Sequence, residues 1–211
     1  MQGRDEGREA VSARGAHAFS PEHLLTMEER RRALLDPEAF LRTILPQDDH
    51  VLANLGCGVG FFALPAAQHL ARGKVIAIDW APEMLAVLVR RAKEQGLTNI
   101  EVLTADIAAT PLPDRSVDHA LLAQVFHDLD EREATLGEMR RILRPEGRLH
   151  LLEWHPRPSE FGPPLALRIP PEELVAVLEE GPFRVVDVDL SLGPFYRVTA
   201  VPRLADEEAL P

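Results

Sequence analysis

Apolar and polar positions along this chain change period repeatedly, from short continuous apolar runs typical of buried strands to the three-and-four spacing of helices. HVLANL (50–55) predicts a strand, and the glycine-rich bend after it leads into a helix from about Phe61 to Ala71. KVIAID (74–79) predicts a second strand, followed by a helix over 81–96 that stops at Gly96. NIEVLTAD (99–106) and SVDHALLAQVF (116–126) predict the third and fourth strands. Residues 129–147 read as a helix closed by Pro145 and Gly147, and RLHLLEW (148–154) as a fifth strand. A helix over 170–181 has proline at its start and glycine at its end. FRVVDVDLSL and FYRVTAVPR, on either side of a GP pair, predict an antiparallel hairpin. Upstream, 22–45 reads as helical, with Ser20 capping the first piece and Pro37 opening another.

Strands that are apolar throughout are buried on both faces, and their alternation with helices specifies an α/β fold. The expected architecture is a doubly wound, mostly parallel seven-stranded sheet with an antiparallel C-terminal hairpin strand. In such a sheet the ligand crevice lies outside the C-terminal strand ends, where the strand order reverses. The expected organisation is a disordered lead over 1–16, a helical lid segment over 17–45, the main domain over 46–203 and a tail over 204–211. Phe19 and His23 fall in the lid segment.

The bend itself, NLGCGVGFF (54–62), concentrates Gly56, Gly58 and Gly60 in one corner. Glycine admits backbone angles closed to other residues and removes the side chain that would hold a ligand away. A dinucleotide site would space its glycines as G-x-G-x-x-G. Here the pattern is G-x-G-x-G followed by Phe61 and Phe62.

That segment resembles the first motif of the class I S-adenosylmethionine-dependent methyltransferases, an acidic residue followed by x-G-x-G-x-G. VIAIDWAPEML is similar to the family's second segment, LTADIAATPLPDRSVDHALL to its third, and EMRRILRPEGRLHLLEW to the helix–turn–strand that closes the second half. The resemblance covers roughly residues 17–203 and implies a Rossmann-like methyltransferase fold, S-adenosyl-L-methionine as cofactor and methyl transfer to a small-molecule acceptor. It further implies that Asn54 stands where an acid helps hold the cofactor's methionyl amino end, and that Gly56, Cys57, Gly58 and Gly60 are cofactor-binding. Asp79 would bind the ribose hydroxyls and Trp80 pack on the adenine face, with Met84 nearby. Asp106 would accept from the adenine amino group, Ile107 cover the ring, and Gln124 sit at the methyl end.

More narrowly, the chain resembles the small-molecule branch that includes quinone-biosynthesis and arsenite methyltransferases. It departs from that pattern at three points. Asn54 stands where the family has an acid, so it contributes an acceptor without charge and weaker cofactor binding is expected. The lone Cys57 argues against arsenite as acceptor, and AQVFHDL lacks the quinone enzymes' RN signature after the fourth strand.

Methyl transfer from a sulfonium needs alignment above all, and a base only when the nucleophile arrives protonated. Strand-end position makes His127 and Glu153 the candidate catalytic residues. His155 reads as a loop residue and Cys57 as a packing residue of the turn. No metal-ligand spacing stands out.

Bulk properties narrow the partners. The 211 residues carry a net charge of −11, the wrong sign for a sequence-independent grip on nucleic acid. No apolar stretch reaches the length of a membrane span, the N-terminus lacks a secretion signal's apolar core, and a single cysteine fits a reducing cytoplasm. A homodimer stays open. Two other functions compete: a nicotinamide-dependent Rossmann oxidoreductase, disfavoured by the glycine spacing, and a non-catalytic S-adenosylmethionine-binding module, towards which only Asn54 leans.

Overall fold

In the computed structural model, which describes residues 20–203, seven strands form one sheet in the order β3-β2-β1-β4-β5-β7-β6. The expected lead over 1–16, Phe19 and the tail over 204–211 lie outside the described residues. The elements run α1 (Pro21–Thr26), α2 (Glu28–Leu34), α3 (Pro37–Ile44), β1 (Val51–Leu55), α4 (Ala63–His69), β2 (Lys74–Asp79), α5 (Pro82–Glu94) and β3 (Ile100–Thr104). The second half follows as β4 (Val117–Ala123), α6 (Arg132–Ile142), β5 (Leu143–Trp154), α7 (Pro171–Glu180), β6 (Phe183–Asp189) and β7 (Phe195–Pro202). Strands β3, β2, β1, β4 and β5 pair in parallel, whereas β7 pairs antiparallel with both β5 and β6.

Both faces of the sheet are covered, which is why its central strands are mostly apolar on both sides, with Asn54 of β1 and His119 of β4 as buried polar exceptions. Along β1 the pleat sends Ala53 and Leu55 to one face and Leu52 to the other. The first face packs against Leu136, Met139 and Ile142 of α6 and Leu174 and Leu178 of α7. The second packs against Phe40, Leu41 and Ile44 of α3, α4, and Leu85 and Leu88 of α5. Each fully buried leucine contributes about 1.5–3 kcal/mol relative to an exposed one.

Three of the boundaries that differ from the sequence expectation do so for a clear local reason. The upstream helical stretch divides into three, and the last piece starts where Asp36 Oδ1 accepts the Ala39 N–H at 3.1 Å and Pro37 fixes the first turn. The helix expected over 129–147 ends at Ile142, because Pro145 disfavours the helical conformation at Arg144. Leu143 then pairs with Val117 of β4, while the Arg141 and Ile142 carbonyls accept the N–H groups of Arg115 and Ser116. The fourth strand, expected to reach Phe126, ends at Ala123, because Gln124 takes a left-handed conformation (φ 61°) and Phe126–Asp128 form a single 3₁₀ turn.

Chain order and strand order part company at β1. The chain steps outward to β2 and β3, then crosses back to β4 on the other side of β1. The crevice outside the C-terminal ends of β1 and β4 is therefore the switch point of the sheet, and both Gly56 and Gln124 stand there.

Candidate functional site

The glycine turn follows β1 directly. Gly56, Gly58 and Gly60 all take positive φ (66°, 51° and 93°), conformations that side chains resist. The turn is pinned from β2, where the Ile78 carbonyl accepts the Cys57 N–H at 3.0 Å, and from α5, where Arg91 Nη1 donates to the Val59 carbonyl at 2.9 Å. A β-carbon on Gly56 would stand 2.6 Å from Val125 Cγ2, and one on Gly60 3.1–3.2 Å from Leu64 and Leu88. Those two glycines thus make room for the protein's own side chains. A β-carbon on Gly58 would meet only Leu24 of α1, at 3.3 Å.

Asp79 closes the turn from the tip of β2. Its Oδ2 accepts the Gly58 N–H at 2.8 Å and its Oδ1 the Ala81 N–H at 3.0 Å. Burial pushes this carboxyl above the ordinary range, against the pull of the N–H groups of Ala81, Gly58 and Trp80. Each carboxylate oxygen accepts more than one hydrogen bond, so capacity remains for a ligand's hydroxyls. Asn54, one residue pair back on β1, is buried; its Nδ2 donates to the Leu121 carbonyl at 3.5 Å while its Oδ1 has no hydrogen-bond partner. A buried acceptor left unpaired costs about 1–3 kcal/mol, which a ligand's N–H donor would recover.

The other predicted residues fall around the same crevice. Trp80 is the most exposed of them, at 54% of its surface. Met84 is buried beside Val59 and Ala81. Asp106 Oδ1 accepts the Ala108 N–H at 2.9 Å, and the half-buried Ile107 packs on the core beneath. Cys57 is buried, and burial followed by the Asp79 charge pushes its thiol far up, which disfavours the reactive thiolate.

His127 and Glu153, separated by 26 positions, are brought into contact: His127 Nδ1 lies 2.7 Å from Glu153 Oε2. The 3₁₀ turn after β4 carries His127, and Glu153 Oε1 holds that turn by accepting the Phe126 N–H at 2.9 Å. His127 Nε2 lies 3.5 Å from Asp128 Oδ2. Burial works to lower the His127 pKa, but the hydrogen bond and charge of Glu153, joined by Asp128, outweigh it and hold the imidazole above its ordinary value. His155 faces elsewhere, with Nε2 3.3 Å from the Leu190 carbonyl.

Sequence reasoning missed Arg31. Its guanidinium carbon sits 4.1 Å from the centre of the Phe61 ring, and its Nη2 donates to Gln124 Oε1 at 3.3 Å. Within the run EERRR (28–32) nothing in the sequence separates this arginine from its solvated neighbours. Among the described residues no group of three or more His, Cys, Asp or Glu side chains is arranged to hold a metal ion, and no helix is long and apolar enough to cross a membrane.

Residues 53–151 match the family described as "Methyltransferase domain". A demethylmenaquinone methyltransferase of Thermus thermophilus is 37% identical over 108 residues, spanning 51% of this chain and 49% of that protein. An uncharacterized methyltransferase of Mycobacterium bovis is 36% identical over 135 residues, 64% of this chain and 51% of that protein. The chain thus spans about half the length of these curated relatives. The crystal structure of an S-adenosylmethionine-dependent methyltransferase from Aquifex aeolicus superimposes with a TM-score of 0.82 at 29% identity, covering 88% of this chain and all of that one.

Proposed function

We propose that this chain, whose residues 53–151 match a methyltransferase-domain family, is a class I S-adenosylmethionine-dependent methyltransferase that transfers a methyl group to a small-molecule acceptor. The observation that carries the reading is the seat formed by Gly58 and Asp79: a left-handed glycine backed by a strand-end carboxylate, with the unpaired Asn54 Oδ1 beside it. When bound, S-adenosylmethionine supplies an electrophilic methyl on a positively charged sulfur.

The chain's own residues do the rest. Asn54 Oδ1 accepts from the ammonium of the cofactor's amino-acid end, and Asp79 from the ribose hydroxyls, a charge-assisted arrangement stronger than neutral pairs. Trp80 and Ile107 flank the adenine, Asp106 accepts from its amino group, and Met84, Cys57 and the glycines shape the floor. Val125 and Gln124 border the methyl end. For a protonated nucleophile, Glu153 holds the proton on His127 Nδ1 and leaves Nε2 to accept the proton the nucleophile gives up. Helices α1 and α2 act as a lid, a role supported by Leu24 over Gly58 and by the ion pair of Glu28 with Arg91 at 2.8 Å.

The acceptor is proposed only as a small molecule. One relative is named for demethylmenaquinone, but AQVFHDL departs from the quinone enzymes' pattern after the fourth strand. A cytoplasmic setting is supported by the single thiol of Cys57.

Calorimetric titration with S-adenosylhomocysteine tests the reading. Micromolar binding is expected, weakened at least tenfold by Asp79→Ala. A wild-type protein that takes up none overturns it, and transfer of a radiolabelled methyl to any small acceptor separates an enzyme from a binding module.

A further inference from the structure

Arg31 is a charged side chain at the crevice to which the proposed function gives no role. It reaches in from α2, stacks on Phe61 at the end of the glycine turn, and bonds the amide oxygen of Gln124 at the end of β4. Its neighbours on the helix are satisfied elsewhere: Arg30 pairs with Glu160 at 3.4 Å and Arg32 with Glu38 at 3.0 Å. Glu28, the nearest acid to influence Arg31, is committed to Arg91 at 2.8 Å and to Arg32 at 3.5 Å. Among the described residues no carboxylate forms an ion pair with Arg31.

A half-buried guanidinium with one neutral hydrogen bond is incompletely compensated. Burial, opposed by the Glu28 charge, lowers its pKa to about 10, so it stays charged at neutral pH while retaining unused donors. Its planar fork matches a carboxylate in two parallel hydrogen bonds, a geometry Lys cannot offer. On the other side of the turn stands the opposite deficiency, the buried Asn54 Oδ1 with no donor. An unpaired cation and an unpaired acceptor flanking one glycine turn complement an amino-acid zwitterion, carboxylate towards Arg31 and ammonium towards Asn54.

We propose that Arg31 is an anion-binding residue of the site, holding a carboxylate between the lid helix α2 and the loops after β1 and β4. The inference rests on the proposed methyltransferase reading and deepens it. The carboxylate belongs to the cofactor's amino-acid end or to an acidic acceptor, and the two are separable. Binding of that group also fastens α2 over the turn, so lid and ligand order together.

The test is calorimetry on wild type, Arg31→Gln and, as a neighbouring control, Arg30→Gln. Three probes are used: S-adenosylhomocysteine, 5′-methylthioadenosine (the same nucleoside thioether without the amino-acid end), and benzoate added to protein saturated with S-adenosylhomocysteine. Arg31→Gln weakening S-adenosylhomocysteine about tenfold or more while leaving 5′-methylthioadenosine unchanged assigns the carboxylate to the cofactor. Loss of benzoate binding alone assigns it to the acceptor. If Arg31→Gln alters neither, or Arg30→Gln alters them equally, the inference is overturned. Should wild type bind no S-adenosylhomocysteine at all, the underlying function fails first, which is a different result. An unchanged melting temperature in Arg31→Gln shows that lost affinity is not lost folding, and Arg31→Lys restores less than half of the lost binding energy if the planar fork matters.

Discussion

His127 and Glu153 share a hydrogen bond of 2.7 Å between Nδ1 and Oε2, in a pair whose carboxylate is wholly buried. Glu153 has no arginine or lysine partner among the described residues; its charge is met by the Phe126 N–H and by the imidazole. The pair therefore does two things at once, holding the 3₁₀ turn against β5 and turning His127 Nε2 towards Asp128.

Glu153→Gln should make His127 titrate at lower pH, because the contribution that outweighs burial is removed. The raised folded-state pKa stabilises the wild type fully below the unfolded value of about 6.5, and that stabilisation is lost as pH rises through the folded value. The variant should lack this dependence and lose about 1–3 kcal/mol at acidic pH. His127 ring-proton NMR and denaturant melts across pH measure both, and an unmoved titration would remove Glu153 from the dyad.

Gly56→Ala should destabilise through two separable causes. A left-handed residue with a side chain costs about 1–2 kcal/mol, and the new methyl also meets Val125 Cγ2 at 2.6 Å. Pairing it with Val125→Ala should relieve the clash but not the strain, so the double variant should lose less than the sum of the singles. Full additivity in thermal melts would mean the two loops do not touch.

Asn54→Asp should raise affinity for S-adenosylhomocysteine by about three- to tenfold, since a charged acceptor serves an ammonium better than a neutral one. The ligand-free variant should melt earlier than wild type, because the added charge is buried in β1. Calorimetry and ligand-free melting are the two readings, and equal affinity would mean Oδ1 does not face the ligand.

A chain of imidazoles crosses the opposite end of the sheet. His50 Nδ1 lies 2.9 Å from His119 Nε2, His119 Nδ1 3.1 Å from His150 Nε2, and His150 Nδ1 3.1 Å from Thr199 Oγ1. Burial, with the charges of its neighbours, lowers the His119 pKa to about 4 and holds His150 well below its ordinary value. A depressed histidine pKa means the unfolded chain binds more protons in this window. Stability should then fall as pH drops from about 6.5 towards 4, by roughly 3 kcal/mol from His119 alone. His119→Asn should flatten that slope in denaturant titrations; an unchanged slope would assign acid sensitivity to other groups.

The alternating pattern and the glycine run determined the doubly wound sheet, the crevice after β1, and the place of Asp79 at the tip of β2, because each follows from local rules. A strand buried on both faces is mostly apolar on both sides, and a turn with three positive φ values needs glycine. Tertiary structure alone decided what stands against those elements. Nothing in AQVFHDL announces that Gln124 turns left-handed, yet that single residue ends β4 early and brings His127 to Glu153. Nor does EERRR distinguish Arg31, which alone of its three arginines reaches Gln124 while Arg30 and Arg32 pair with carboxylates. The glycines carry the same lesson: their conformation was legible, but Gly56 and Gly60 turn out to accommodate Val125, Leu64 and Leu88 while Gly58 faces Leu24 of α1. Contacts between residues distant in sequence leave no periodic trace in the chain, and the chemistry of this site is made of such contacts.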